Sequence, residues 1–160
     1  MSRRFIVTGG TQGIGEAVVS QLRSQGHRVF TTARRTPTEL ENTEDFVAAD
    51  LSTEAGVANL AAAFQDRLGT PDGIVHVVGG SNAASGGFAA ATDQVWADEL
   101  SINLLAAVRL DRLLVPSMVE QRRGVIVHVT SIQRTLPLYD ATLAYAASKA
   151  ALTTYSKGLS

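Results

Sequence analysis

RFIVTGGTQGIG, residues 4–15, runs from a short apolar stretch into a glycine cluster and out into a helical pattern. Arg4 to Thr8 reads as a buried strand, and Ile14, Ala17, Val18 and Leu22 recur at helical spacing as far as Gly26. The junction holds more glycine than a plain strand-to-helix turn requires. A helix that opens on such a loop aims its first backbone N–H groups and the positive end of its dipole at whatever lies above it, which suits a pyrophosphate. Gly9, Thr11, Gln12, Gly13, Ile14 and Gly15 are therefore candidate cofactor contacts.

Outward from this unit the pattern repeats. His27 to Ala33 (HRVFTTA) and Glu44 to Ala49 (EDFVAA) read as the second and third strands, joined by a short polar crossover. Ser52 is the expected N-cap of a helix whose Val57, Leu60, Ala61, Phe64 and Leu68 share one face, with Gly69 and Pro71 ending it. Ile74 to Val78 (IVHVV) has the near-continuous apolarity of a parallel strand covered on both faces, and it ends in Gly79 and Gly80. Ser81 to Ala91 reads as a loop. Thr92 is placed to cap a helix bearing Val95, Trp96 and Leu100, and the helical pattern continues from Ile102 to Glu120, with Pro116 expected to bend or shorten it. Trp96, Phe64 and Leu110 read as core, and Arg122 with Arg123 as a solvated helix end. Val125 to Val129 (VIVHV) is a fifth strand, Ser131 to Tyr139 a loop, and Thr142 onward helical to the end.

Strands alternating with helices at this spacing imply an α/β fold, a Rossmann-like doubly wound parallel sheet. The fifth strand is apolar on both faces, yet nothing after the last helix can pair with its outer edge. The expectation is one dinucleotide-binding domain over residues 1–160, incomplete at its C-terminal end and inclined to associate along Val125 to Val129.

Of the 160 residues, 45% are hydrophobic and 18% charged, which fits a water-soluble globular domain. Fourteen Lys and Arg against fifteen Asp and Glu leave a net charge of -1, which disfavours a general binder of nucleic acid or anionic membrane. The absence of cysteine excludes disulfides, a thiol nucleophile and thiolate metal ligands. Phe5, Ile6 and Val7 are too few for a secretory h-region, and no apolar run approaches the roughly 20 residues of a spanning helix, so a cytoplasmic location is expected. His27, His76 and His128 fall on separate strands without ligand spacing, and no metal site is expected.

Glycines or a hydroxyl mark the carboxyl ends of strands one, four and five: Gly9 to Gly15, Gly79 with Gly80, and Thr130 with Ser131. In an open parallel sheet these ends share one rim, where ligands bind at the switch in strand order. Tyr145 and Lys149 in YAASK lie one helical turn apart on one face. A phenol ordinarily ionises near pH 10, and a cation within a few ångströms favours the phenolate.

With these residues in place the chain resembles the short branch of the short-chain dehydrogenase/reductase family. Thr8-Gly9-x-x-x-Gly13-Ile14-Gly15, Asp50 in AADLS, Asn103 in SINLL, Ser131 in VTSI and Tyr145 to Lys149 follow the family's motifs in order, with Ser131 fourteen residues before Tyr145. The resemblance implies a nicotinamide oxidoreductase acting on a carbonyl and its secondary alcohol. Tyr145 would exchange the proton with the substrate oxygen, Ser131 would hydrogen-bond that oxygen, Lys149 would favour the phenolate and hold the nicotinamide ribose, and Asn103 would position a relay water. Asp50, Leu51, Gly79 and Gly80 join the glycine loop, Tyr145 and Lys149 as cofactor contacts, and the resemblance also implies a homo-oligomer built on the helices after Asn103 and around Tyr145.

The chain departs from the family where an Asn-Asn-Ala-Gly run is usual: His76, Val77, Val78 and Gly79 stand there and only the glycine is kept. His76 either replaces the first asparagine's hydrogen bonding or is a satisfied core histidine. At the end of strand two the family's NAD-binding members place an acid, whereas here Ala33 is followed by Arg34 and Arg35. An arginine fork suits a 2'-phosphate, so NADP(H) is the expected cofactor with NAD(H) as the alternative; the lesser reading is that the arginines only solubilise the loop before Pro37. The rival reading from another class is a non-catalytic nucleotide-binding or interaction module.

Overall fold

Phe5, Ile6 and Val7 lose nearly all their exposure at the centre of a five-stranded parallel sheet in a computed structural model that describes residues 1–38 and 44–160. The strands are β1 (Arg4–Thr8), β2 (Arg28–Ala33), β3 (Phe46–Ala48), β4 (Gly73–His76) and β5 (Val125–His128), in the order β3-β2-β1-β4-β5. The chain builds outward from β1 through α1 (Gly13–Ser24) to β2 and β3, then returns over the sheet through α2 (Glu54–Leu68) to β4 on the other side of β1. The strand order thus reverses between β1 and β4, where such sheets open a crevice at their carboxyl ends. The polar crossover expected between β2 and β3 includes residues 39–43, which lie outside the described residues.

The period of two along each strand sorts side chains between two layers. Phe5, Val7 and Val29 pack with Val19 of α1. Ile6, Phe30 and Ile74 face the other way into a larger core with Val57, Leu60 and Phe64 of α2 and Leu110, Leu114 and Met118 of α4 (Ala106–Glu120). Buried on this scale, each large apolar side chain contributes about 1.5 to 3 kcal/mol relative to exposure. The same alternation puts Thr8, His76 and His128, which stand in register across β1, β4 and β5, on the layer of Ile6, Ile74 and Ile126.

Several local expectations need correction. Thr53, not Ser52, caps α2, its hydroxyl accepting from Gly56 N–H at 3.0 Å, while the Ser52 hydroxyl is drawn to Asp50 at 2.7 Å. β4 ends at His76 rather than Val78, because the Val77 and Val78 N–H groups donate to the Thr8 hydroxyl instead of a strand. The second, third and fifth strands are also shorter than their apolar runs. α3 (Asp93–Leu100) passes without a break through a π-helical turn at Ser101–Leu105 into α4, and Pro116 lies inside α4 without ending it. Trp96 is 36% exposed, since α3 buries only Glu99. Arg123 is not merely solvated: its guanidinium pairs with Asp72 at 2.7 Å.

At the edge of the sheet β5 leaves Val125 and Val127 47% and 45% exposed. α5 (Leu143–Leu159) runs against β5 and the π-helical turn. Among the described residues no helix is long and apolar enough to cross a membrane.

Candidate active site

The glycine loop is shaped by close backbone approach. Gly15, buried in the first turn of α1, lies so near the turn that a Cβ there would stand 2.1 Å from the Gly9 carbonyl oxygen. The Gln12 side chain does not cap the helix, so the first-turn N–H groups face the crevice without a side-chain acceptor. Thr8 ties this loop to its neighbour through the Val77 and Val78 N–H groups, and Ile14 is exposed. Arg34 and Arg35 are exposed past the end of β2. Asp50, after β3, accepts from the Ser52 hydroxyl and N–H; these bonds, with the charge of Arg34, hold its carboxyl below the usual range. Leu51 is buried beneath it.

Across the crevice Asn103 and Lys149 converge on Gly79. A Cβ on Gly79 would come within 2.7 Å of both Asn103 Oδ1 and Lys149 Nζ, so any side chain there would displace these two groups. Asn103 is 2% exposed: Oδ1 accepts from Gly80 N–H at 2.9 Å, and Nδ2 donates to Gly80 O, Glu99 O and Glu99 Oε2. Its amide is therefore clamped, with one lone pair on Oδ1 left for a water. Glu99 in turn accepts from the Ser81 hydroxyl at 2.6 Å, fastening the loop after β4.

Lys149 is also 2% exposed; Nζ donates to Val129 O at 3.0 Å, and burial lowers its pKa. Its ammonium stands 5.8 Å from the centre of the Tyr145 ring, one turn earlier on α5. Ser131, two residues beyond Val129, opens a short 3-10 turn (Ile132–Arg134), its hydroxyl accepting from Gln133 N–H at 3.2 Å. The hydroxyl of Thr142 is bonded to Gln133, which joins that turn to the start of α5. Lys149, Asn103 and Gly79 are thus brought together directly, and Ser131 and Tyr145 are carried on elements fastened to one another.

Two acids escaped the sequence reading. One is Glu99; the other is Asp111, 1% exposed, which accepts from His76 Nε2 at 2.7 Å, from His128 Nε2 at 3.2 Å and from the Tyr155 hydroxyl at 3.1 Å. One ring nitrogen of His76, Nε2, is thus satisfied in the core by Asp111. His76 and His128 do lie on separate strands, but the absence of ligand spacing in the sequence does not keep this pair apart: their rings stack with centroids 4.8 Å apart. Their ligand-capable atoms and those of Asp111 lie within 4.8 Å of one another. The signal was present: Asp111 interrupts the face of Leu110 and Leu114, and Glu99 stands four residues before Asn103 on one helical face.

Burial by itself would raise the pKa of Asp111, but the bonds from His128 and His76 outweigh it and hold the group down to about 2. A carboxyl below its ordinary value stabilises the fold above about pH 4, and that contribution is lost as pH falls toward 2. It amounts to about 2 kcal/mol. Thermal unfolding between pH 5 and pH 2 should show Asp111→Asn losing less stability across this window than the wild-type chain; equal slopes would remove Asp111 from the acid response.

The short chain dehydrogenase family model matches residues 3–160. A short chain dehydrogenase of Pseudocercospora fijiensis is 31% identical over 96% of this chain and 52% of its own. Among solved structures, an oxidoreductase of the short chain dehydrogenase/reductase family from Brucella ovis, in complex with a partially ordered NAD, superposes with a TM-score of 0.89 at 27% identity over 99% of this chain and 76% of that one. L-sorbose reductase from Gluconobacter frateurii, complexed with NADPH and L-sorbose, gives 0.88 at 29% over 99% and 63%. The chain spans about half the length of the first curated relatives it matches. It belongs to the short chain dehydrogenase family, whose members are NAD(P)(H)-dependent oxidoreductases.

Proposed function

We propose that residues 1–160 form the dinucleotide-binding domain of a reductase or dehydrogenase that moves hydride between a nicotinamide cofactor and a small carbonyl or secondary alcohol. The observation that carries this reading is the meeting of Lys149 and Asn103 over Gly79, with Tyr145 one turn from Lys149. A bound nicotinamide would supply or accept the hydride. The residues present suit it: the uncapped first turn of α1 offers N–H groups to the pyrophosphate, Gly9, Thr11, Gln12, Gly13, Ile14 and Gly15 line its path, and Asp50, Leu51 and Gly80 border the crevice. Lys149 holds a cation beside the phenol, Tyr145 passes the proton to or from the substrate oxygen, and Ser131 donates to that oxygen. Asn103 fixes the backbone of Gly80 and offers its remaining lone pair to a water.

NADP(H) is the favoured cofactor because Arg34 and Arg35 occupy the end of β2 where no acid stands. A partly exposed charge-assisted contact of this kind contributes on the order of 1.5 to 3 kcal/mol. Arg34→Ala should weaken NADPH binding about tenfold and leave NADH binding nearly unchanged. Equal wild-type affinities for both cofactors, unaltered by the substitution, would remove Arg34 from this role. The exposed Leu113 and Val119 of α4 support association of copies through that helix. Following oxidation of bound NADPH with a panel of ketones and aldehydes tests the reading; binding with no turnover on any carbonyl would favour a nucleotide-binding module instead.

A further inference from the structure

Behind Asn103 the core holds a cavity of about 10 Å³, lined by Thr8, His76 and Asn103 among apolar side chains that include Val78 and Leu152. This is the room one water needs, and the three polar residues provide partners for it. His76 bonds Asp111 through Nε2. An ionised carboxylate only accepts, so Nε2 carries the hydrogen and Nδ1 is left as a lone-pair acceptor on a residue that lines the cavity. No protein group is found bonded to Nδ1 among the described residues.

The direction of these bonds decides what the cluster can do. His76, His128 and Tyr155 all donate toward Asp111, so proton movement from either side ends at its carboxylate and the chain is not a through-conducting wire. The rings stack 5° from parallel, and the Nε2 of each is taken up by one oxygen of Asp111, so neither Nε2 offers a free lone pair. What remains is an acid that fixes the tautomer and orientation of an imidazole and is placed to stabilise its charged form.

Resting on the oxidoreductase reading above, we propose that His76, oriented by Asp111, is a positioning residue that takes up the proton released when an alcohol is oxidised, through a water held between its Nδ1 and Asn103. Tyr145 would take the substrate hydroxyl proton, a bound oxidised nicotinamide would supply the hydride acceptor, and the relayed proton would reach Nδ1 as an imidazolium paired with Asp111 and then leave for solvent before the next turnover. In reduction a proton would follow the same path inward. The groups around His76 agree with a base that rests neutral. Burial holds its pKa down against the pull of Asp111 on α4, and His128 on β5 and Lys149 on α5 oppose its charging. Tyr155 on α5 bonds Asp111 rather than His76, and β1 brings only the uncharged Thr8.

His76→Asn installs the residue that the family's motif carries at this place and offers no group that titrates near neutrality. In the full protein, alcohol oxidation by this variant should fall about tenfold or more at pH 7 and return to within about twofold of wild type at pH 10, where hydroxide accepts the proton. Affinity for the oxidised cofactor should not change. His128→Gln perturbs the same carboxylate without removing the cavity's acceptor, so it should lower stability and keep the wild-type shape of the pH profile. Long-range proton–nitrogen NMR on the wild-type protein should find His76 neutral with its hydrogen on Nε2 at pH 7. A His76→Asn profile parallel to wild type, the same altered profile in His128→Gln, or a hydrogen on Nδ1 of resting His76 would each overturn the proposal while leaving the oxidoreductase reading intact. Absence of turnover in the wild type would bring both down.

Discussion

Replacing Tyr145 with phenylalanine is expected to lower turnover by about 100-fold or more while cofactor affinity stays within about twofold of wild type. The change deletes one oxygen and keeps the ring, so the packing of α5 and the position of Lys149 survive. Lys149 itself is anchored by Val129 O, not by the phenol, and its ammonium remains over Gly79. The pyrophosphate cradle lies on another element, the first turn of α1. What is lost is the proton transfer at the substrate oxygen, and positioned acid–base groups contribute about 100- to 10,000-fold. Steady-state kinetics with a saturating carbonyl, alongside cofactor titration, separate the two effects. Wild-type turnover in the variant would remove Tyr145 from the chemistry.

Gly15→Ala should have an effect of similar size by a different route. Its Cβ would lie 2.1 Å from the Gly9 carbonyl oxygen and 2.8 Å from the carbonyl carbon, both backbone atoms that yield only if the whole β1–α1 turn moves. Overpacking of this kind costs about 1 to 3 kcal/mol of stability. The same displacement swings the first-turn N–H groups away from the pyrophosphate, and cofactor affinity should drop about 100-fold. Calorimetric titration together with thermal unfolding reads both losses. Unchanged affinity in the alanine variant would mean that this helix terminus does not carry the phosphate contacts.

The parts of the fold that were legible in the sequence are those that local periodicity specifies. β1 and the helical face of α1 are written in residues 4–26, and β4 and β5 stand out as apolar runs between turns. The candidate site was legible as an ordered set of short motifs, and the structure brings Asn103 and Lys149, 46 positions apart in the numbering, onto one glycine. Register and layer assignment were not legible. His76 and His128 become neighbours only once β4 and β5 pair in parallel with those residues opposite, and the partners of Asp111 emerge only once α4 is laid over that face of the sheet. The π-helical turn at Ser101–Leu105 leaves no periodic trace because its apolar residues suit an ordinary helix equally well. β4 stopped short of its apolar run for a reason no hydropathy pattern holds: the Thr8 hydroxyl captures the N–H groups of Val77 and Val78.

Hydride transfer between a nicotinamide and a carbonyl carbon on this domain can be followed with the full protein and NADPH carrying deuterium at C4 of the nicotinamide. Mass spectrometry of the alcohol formed from a ketone should find one deuterium at the carbinol carbon when the label is on one face of the ring and none when it is on the other, with the product lost in Tyr145→Phe. An alcohol free of label from either cofactor, or no alcohol at all despite saturating NADPH, would contradict it.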